Sequence, residues 1–153
     1  MGVLTLVSTR KEECDGIIMT SRIETLCEER SILLTEQRRI VARVLSESSD
    51  HPSVKEVYSR ASAIDSSLSI ATVYRTLRLF EEAGILERHA FDGRESRYEE
   101  ASRDHHDHLI DIDTGVVVEF QNEEIENLQE EIATRLGFKL VGHRLELYGR
   151  KIK

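Results

Sequence analysis

Ser69-Ile70-Ala71-Thr72-Val73-Tyr74-Arg75-Thr76-Leu77-Arg78-Leu79-Phe80, followed by Gly84 and then Asp92-Gly93, decides the fold of this chain. Ile70, Val73, Leu77 and Phe80 recur at helical spacing, which predicts a helix over 69–83 with those four on its buried side. Gly84 is placed to end it, since the residue past a helix often takes a left-handed conformation that glycine accepts. Ser69, Thr72, Tyr74, Arg75 and Arg78 stay on the outer side. Such a helix fits a DNA major groove, with arginine reading guanine edges and hydroxyls near the N-terminus meeting phosphates. An ordinary solvated face has the same composition. Beyond Gly84, runs 85–91 and 96–100 flank Asp92-Gly93, a strong tight-hairpin signal. A helix leading straight into a hairpin is the second half of a winged helix-turn-helix.

Upstream, the helices announce themselves by their caps. Ser21 and Glu24 form an S-x-x-E capping box that starts a short helix. Thr35 caps a second one, with Ile40, Val41, Val44 and Leu45 as its apolar stripe. Ser53 and Glu56 form another box that opens a third through Val54, Val57, Tyr58 and Ala61, just after His51 and the sole proline, Pro52. Arg38, Arg39 and Arg43 lie on the second helix as candidate backbone contacts to DNA. Residues 1–19 show no periodicity and are expected to be a disordered tail; Met19 is a second candidate start. Residues 20–100 thus read as a winged-helix domain with its connection.

The pattern changes after residue 100. Strands are expected at 109–113 and 116–120, turning at Thr114-Gly115. A helix follows with Ile125, Leu128, Ile132 and Leu136 on one side, closed by Gly137. A last strand over 138–148 would put Val141, His143, Leu145 and Leu147 on one face. Residues 101–153 are therefore β-β-α-β, and the whole chain is α+β.

Composition separates the halves further. The 153 residues carry a net charge of −8, yet residues 20–88 hold ten Lys/Arg against eleven Asp/Glu. Residues 89–153 hold nine against fifteen and supply most of the excess. Two modules with different partners follow from that asymmetry, and the acidic one is no nucleic-acid surface. The apolar stretch at 3–7 is too short for a secretory signal, no run approaches a membrane span, and the chain reads as cytoplasmic. Cys14 and Cys27 form no CxxC pair, which argues against a cysteine-bound zinc or a disulfide framework.

Three of the six histidines fall in His105-His106-Asp107-His108, which runs into Leu109-Ile110. Successive side chains of a strand point to opposite faces. His106 and His108 would share one face while His105 and Asp107 share the other, enough for two metal sites. Imidazole with carboxylate suits Zn, Fe, Mn, Co or Ni. A solvated polar loop, such as a purification-tag remnant, is the plain alternative, but an internal position leading into an apolar strand argues against a tag. A metalloenzyme or a metal buffer could use the same cluster; neither needs Tyr74-Arg75 or a wing.

The stretch 69–77, then Glu82-Ala83-Gly84-Ile85-Leu86, Arg88-His89 and His105-His106-Asp107-His108-Leu109-Ile110, resembles the ferric uptake regulator family over about residues 20–150. The resemblance implies a homodimeric, metal-dependent transcriptional repressor that binds a double-stranded DNA operator, with Fe(II) or Mn(II) as co-repressor and Zn(II) or Mn(II) bound in vitro. It implies an N-terminal winged helix and a C-terminal α/β dimerisation domain, and no enzyme. Tyr74 and Arg75 match the family's base-contacting pair, and Arg38 a backbone-contacting arginine. His51, Glu99, His106, His108 and Glu119 match the ligands of a regulatory site joining the domains. His105, Asp107, Glu126 and His143 match those of a second site within the dimerisation domain. His89 falls in the wing, outside either site, as a structural or backbone-contacting residue.

Departures from the family pattern sharpen this. Asp111 and Thr114 replace its first CxxC pair and the C-terminal pair is missing, so no cysteine-bound structural zinc is expected. Leu33 replaces a lysine that many members insert into the minor groove. Glu119 stands where the peroxide-sensing branch has aspartate, which makes peroxide sensing the weaker alternative. The haem-responsive branch's cysteine-proline motif is absent.

Overall fold

Four hydroxyl side chains set where the first four helices begin. Ser21, Thr35, Ser53 and Ser69 each sit in extended backbone and accept from an amide three residues on. At Ser21 and Ser53 the glutamate of the S-x-x-E box also reaches back to the cap amide, completing both expected boxes. A computed structural model describes residues 5–6, 20–91, 93–101 and 105–152. In chain order its elements are β1 (Thr5–Leu6), α1 (Arg22–Glu29), α2 (Glu36–Glu47), α3 (Val54–Ile64), α4 (Ile70–Glu82), β2 (Leu86–His89), β3 (Arg97–Glu100), β4 (Asp107–Asp111), β5 (Val117–Gln121), α5 (Glu123–Arg135) and β6 (Glu146–Gly149). They form two compact units, one of residues 20–101 and one of residues 5–6 with 105–152.

The first unit is a winged helix: α1–α4 followed by the antiparallel β2–β3 pair. Its core is one cluster drawn from every element, including Ile23, Val41, Val57, Leu77, Phe80 and Tyr98. Two details differ from the sequence reading of α4. Ile70 is 41% exposed, because it is the first helical residue and precedes the turn that packs inward. Thr76 is buried in its place, and its hydroxyl donates to the Thr72 carbonyl at 2.8 Å, which removes the cost of burying it. The hairpin is also looser than Asp92-Gly93 suggests. Its pairing stops at His89↔Arg97, and a separate turn closes beyond it, with the Arg94 amide donating to the Phe91 carbonyl and Gly93 at φ +69°. Phe91 is buried against His89 rather than extending the ladder. Asp92 lies outside the described residues.

The second unit is a four-stranded sheet in the order β1-β5-β4-β6. β4 pairs antiparallel with β5 and parallel with β6. The β4 and β5 segments begin two residues and one residue off the expected ranges, and this brings Asp107 and His108 into the ladder. The last strand is much shorter than expected. β4 offers five residues, and the parallel register runs from His108↔Glu146 to Asp111↔Gly149. Residues 138–145 serve instead as the crossover from α5 that parallel pairing requires, and Val141 is almost fully exposed. Leu128 and Ile132 on α5 and Leu136 at its C-cap recur as expected but stay exposed, and no residue of that helix is buried. Within the expected tail, Thr5–Leu6 pairs with Phe120 and Gln121, so those two residues are not disordered; the rest of 1–19 lies outside the described residues.

Candidate metal centres and DNA-facing helix

Because β4 starts at Asp107, the histidines around it divide between its two sides. On one side His105 Nε2 lies 3.2 Å from Asp107 Oδ1 and 2.7 Å from His143 Nε2. His143 Nε2 is in turn 3.4 Å from Asp107 Oδ1 and 3.5 Å from Glu126 Oε1. Ligand atoms of His105, Asp107, Glu126 and His143 all lie within 4.8 Å of one another. They come from the approach to β4, from β4 itself, from the first turn of α5 and from the crossover. Asn122 caps that helix, and its N-terminal dipole favours the charge on Glu126.

This group suits a divalent transition metal on its own chemistry. Asp107 is buried and its Oδ2 has no hydrogen-bond partner among the described residues, a costly state for a carboxylate without a cation. Two imidazole Nε2 atoms 2.7 Å apart cannot both carry a proton between them. Two imidazoles and two carboxylates form a borderline donor set.

His106 and His108 meet each other on their own account, with ring centroids 5.0 Å apart. Glu119 stands directly across the ladder from His108, and its Oε1 is 3.9 Å from His106 Nε2. Within the winged unit, His51 is fixed by its backbone. Arg97 Nη1 donates to the His51 carbonyl at 2.8 Å, and the Tyr98 amide donates to the Pro52 carbonyl at 3.0 Å. Those bonds bring His51 Nε2 to 2.7 Å from Glu99 Oε2. His89, read from sequence as structural or backbone-contacting, reaches the other oxygen of the same acid at 2.6 Å. Glu87, His89 and Glu99 also bring ligand atoms within 4.8 Å of one another.

The outer side of α4 is ordered by its own hydroxyls. Ser69 Oγ and Thr72 Oγ1 are 3.0 Å apart, and Arg75 Nη2 donates to Thr72 Oγ1 at 3.3 Å. Tyr74 is half exposed beside them. Arg38 Nη1 donates to the Leu33 carbonyl at 2.7 Å, in the loop ahead of α2. Arg39 and Arg43, expected to face DNA, lie 3.4 and 3.7 Å from Glu24 Oε1. Glu24 itself, which the sequence marked only as a capping residue, is 1% exposed. Burial pushes its carboxyl up, but the Ser21 hydrogen bonds and the two arginines outweigh this and hold it below the usual glutamate range. Cys27 is a buried free thiol in the same core, and Cys14 lies outside the described residues.

A winged helix joined to a sheet unit with clustered imidazoles and carboxylates defines a metal-responsive regulator. The chain belongs to the ferric uptake regulator family, whose sequence profile matches residues 29–148. It is 56% identical over 131 residues to the ferric uptake regulation protein of Rhizobium leguminosarum bv. viciae, covering 86% of this chain and 92% of that one. Identity to the protein of that name from Brucella abortus biovar 1 (strain 9-941) is 54% over 122 residues, with coverage of 80% and 86%. Among solved structures, a zinc-bound manganese uptake regulator matches at 55% identity with a TM-score of 0.76, covering 85% of this chain and 98% of that one. The family and the α+β fold expected from the sequence are therefore both correct. Among the described residues, no helix is long and apolar enough to cross a membrane.

Proposed function

We propose that this chain is a metal-dependent DNA-binding repressor of metal-uptake genes, working in the cytoplasm as a homodimer on a pseudo-palindromic operator. The observation that carries the reading is the division of the segment 105–108 between two imidazole–carboxylate groups in a chain that also bears a winged helix. His51, Glu99, His106, His108 and Glu119 are assigned as the regulatory ligands, and His105, Asp107, Glu126 and His143 as the second set. A divalent cation would supply one Lewis-acid centre to which all ligands of a set are drawn together.

The chain's own residues do the rest. Five ligands drawn from two units restrict the arrangements the units can adopt, and a restricted dimer can present both α4 helices to successive major grooves. Arg75 and Tyr74 would read base edges there, while Ser69, Thr72 and Arg38 hold phosphates. Five protein ligands leave little room for a substrate or an activated water, which supports regulation over catalysis. Relatives of near-equal identity are named for ferric and for manganese uptake, so identity does not select the metal. The donor set accepts Fe(II) or Mn(II) in the cell and Zn(II) in vitro. Peroxide sensing is less well supported, with Glu119 in place of an aspartate and a solved peroxide stress regulator only 21% identical.

The test is retention of operator DNA. Sequence-specific retention should vanish on chelation and return with Mn(II) or with Fe(II) under anaerobic conditions. Retention indifferent to chelator, or a metal-loaded chain that retains no specific DNA, overturns the reading; the second outcome would make it a metal buffer.

A further inference from the structure

Glu99 serves two histidines at once. His89 Nε2 lies 2.6 Å from its Oε1, and His51 Nε2 lies 2.7 Å from its Oε2. A carboxylate only accepts, so His89 donates its Nε2–H. The donor is firmly built in. His89 is buried, its ring stacks on Phe91 at 5.5 Å and 7°, and it meets the His51 ring edge-on at 6.4 Å. The hairpin register, Glu87↔Glu99 and His89↔Arg97, makes His89 and Glu99 diagonal neighbours on one face. The two oxygens of Glu99 thus face different histidines, Oε1 the ring stacked in the wing and Oε2 that of His51.

We propose that His89 is a positioning residue for the metal ligand of the wing. It holds Glu99 Oε1 so that Oε2 stands beside His51 Nε2 as the ligating atom. The inference rests on the assignment of His51 and Glu99 as ligands. A carboxylate held by a fixed donor needs no ordering when an ion arrives, and hydrogen bonds to ligating groups commonly set metal affinity. His89 itself stands outside the ligand set. Its Nε2 carries the proton given to Glu99, and the other acid near it, Glu87, is 3.9 Å away and more than half exposed.

The experiment titrates the full-length chain with Co(II) and with Mn(II) against a fluorescent chelator. Glu99→Ala identifies the binding phase that depends on Glu99. His89→Phe keeps a ring to stack on Phe91 but donates nothing, whereas His89→Gln supplies an amide N–H near the same point and ligates poorly. His89→Phe should weaken the Glu99-dependent phase by roughly 10–100-fold, with the other phase and the circular dichroism unchanged. His89→Gln should recover most of that loss. An unmoved phase in His89→Phe overturns the inference while the ligand reading stands. Equal loss in both variants makes His89 a ligand and overturns it too. If Glu99→Ala removes no phase, the ligand assignment fails and this inference with it. Should His89→Phe not fold, His89→Gln decides alone: affinity near wild type supports positioning, affinity near Glu99→Ala defeats it.

Discussion

His105 and His143, 38 residues apart, bring their Nε2 atoms to 2.7 Å, tying the approach to β4 to the crossover that precedes β6. The contact lies on the Asp107 side of β4, away from the pair formed by His106 and His108. Neighbouring residues should therefore fail differently. Replacing His106 and His108 by Ala should leave a folded dimer whose operator affinity no longer rises with metal. Replacing His105 and Asp107 by Ala should lower metal stoichiometry and weaken the dimer, yet keep metal-stimulated DNA binding at sufficient protein concentration. Metal analysis and fluorescence anisotropy on both double variants check this. Identical behaviour would mean that the segment serves a single site.

Strand alternation makes that partition legible in the sequence, because it needs only the period of two and the order of four residues. The caps of α1–α3 were legible for a similar reason, each being a contact three residues long, whereas Ser69, read as part of the fourth helix, proves to be its cap. What escaped the sequence depends on register. A two-residue turn at Asp92-Gly93 would pair Phe91 with Arg94 and place His89 and Glu99 on opposite faces. The observed pairing, His89↔Arg97, differs by one residue, and a slip of one exchanges every face. The bond from His89 to Glu99 was invisible on that account. The length of β6 was likewise set by a partner strand that no local pattern reveals.

Glu24 is the second residue whose weight came from tertiary structure. Its carboxyl is held below the usual glutamate range, so its contribution to stability is present above the ordinary glutamate pKa. That contribution is lost as pH falls through the lowered value. Glu24→Gln should cost roughly 1–3 kcal/mol at neutral pH, since Arg39 and Arg43 lose their acid and the capping box loses its charge. Urea denaturation across pH should show the gap between wild type and variant closing in the acid range. A gap that persists unchanged below the usual glutamate range would show that packing, not charge, accounts for the loss.

Cys27 should be chemically silent in the native chain. Burial pushes its thiol up to about 11, which leaves very little thiolate at neutral pH. In a Cys14→Ser background, a thiol-reactive dye should label the remaining cysteine only after denaturant is added. Changing both cysteines to Ser should leave metal content and DNA binding intact, while the hydroxyl that Cys27→Ser puts into the apolar core costs roughly 1–3 kcal/mol of stability. Loss of tightly held zinc in that double variant would restore the cysteine-bound zinc that the sequence argues against.

Arg75 tests the proposed assignment of the outer side of α4 to DNA. Its guanidinium is steadied by Thr72 Oγ1, which is steadied in turn by the Ser69 cap, an arrangement that would order the side chain ahead of any DNA contact. Arg75→Ala should weaken specific binding by about 1–3 kcal/mol and relax preference at one base position in each half-site. Thr72→Val, which removes the hydroxyl but keeps the side-chain shape, should relax the same position by less. Metal content should not change in either variant. Binding measured across a set of single-base operator variants separates the possibilities. Uniform loss on every sequence, with a shallower dependence on salt, would instead make Arg75 a phosphate contact.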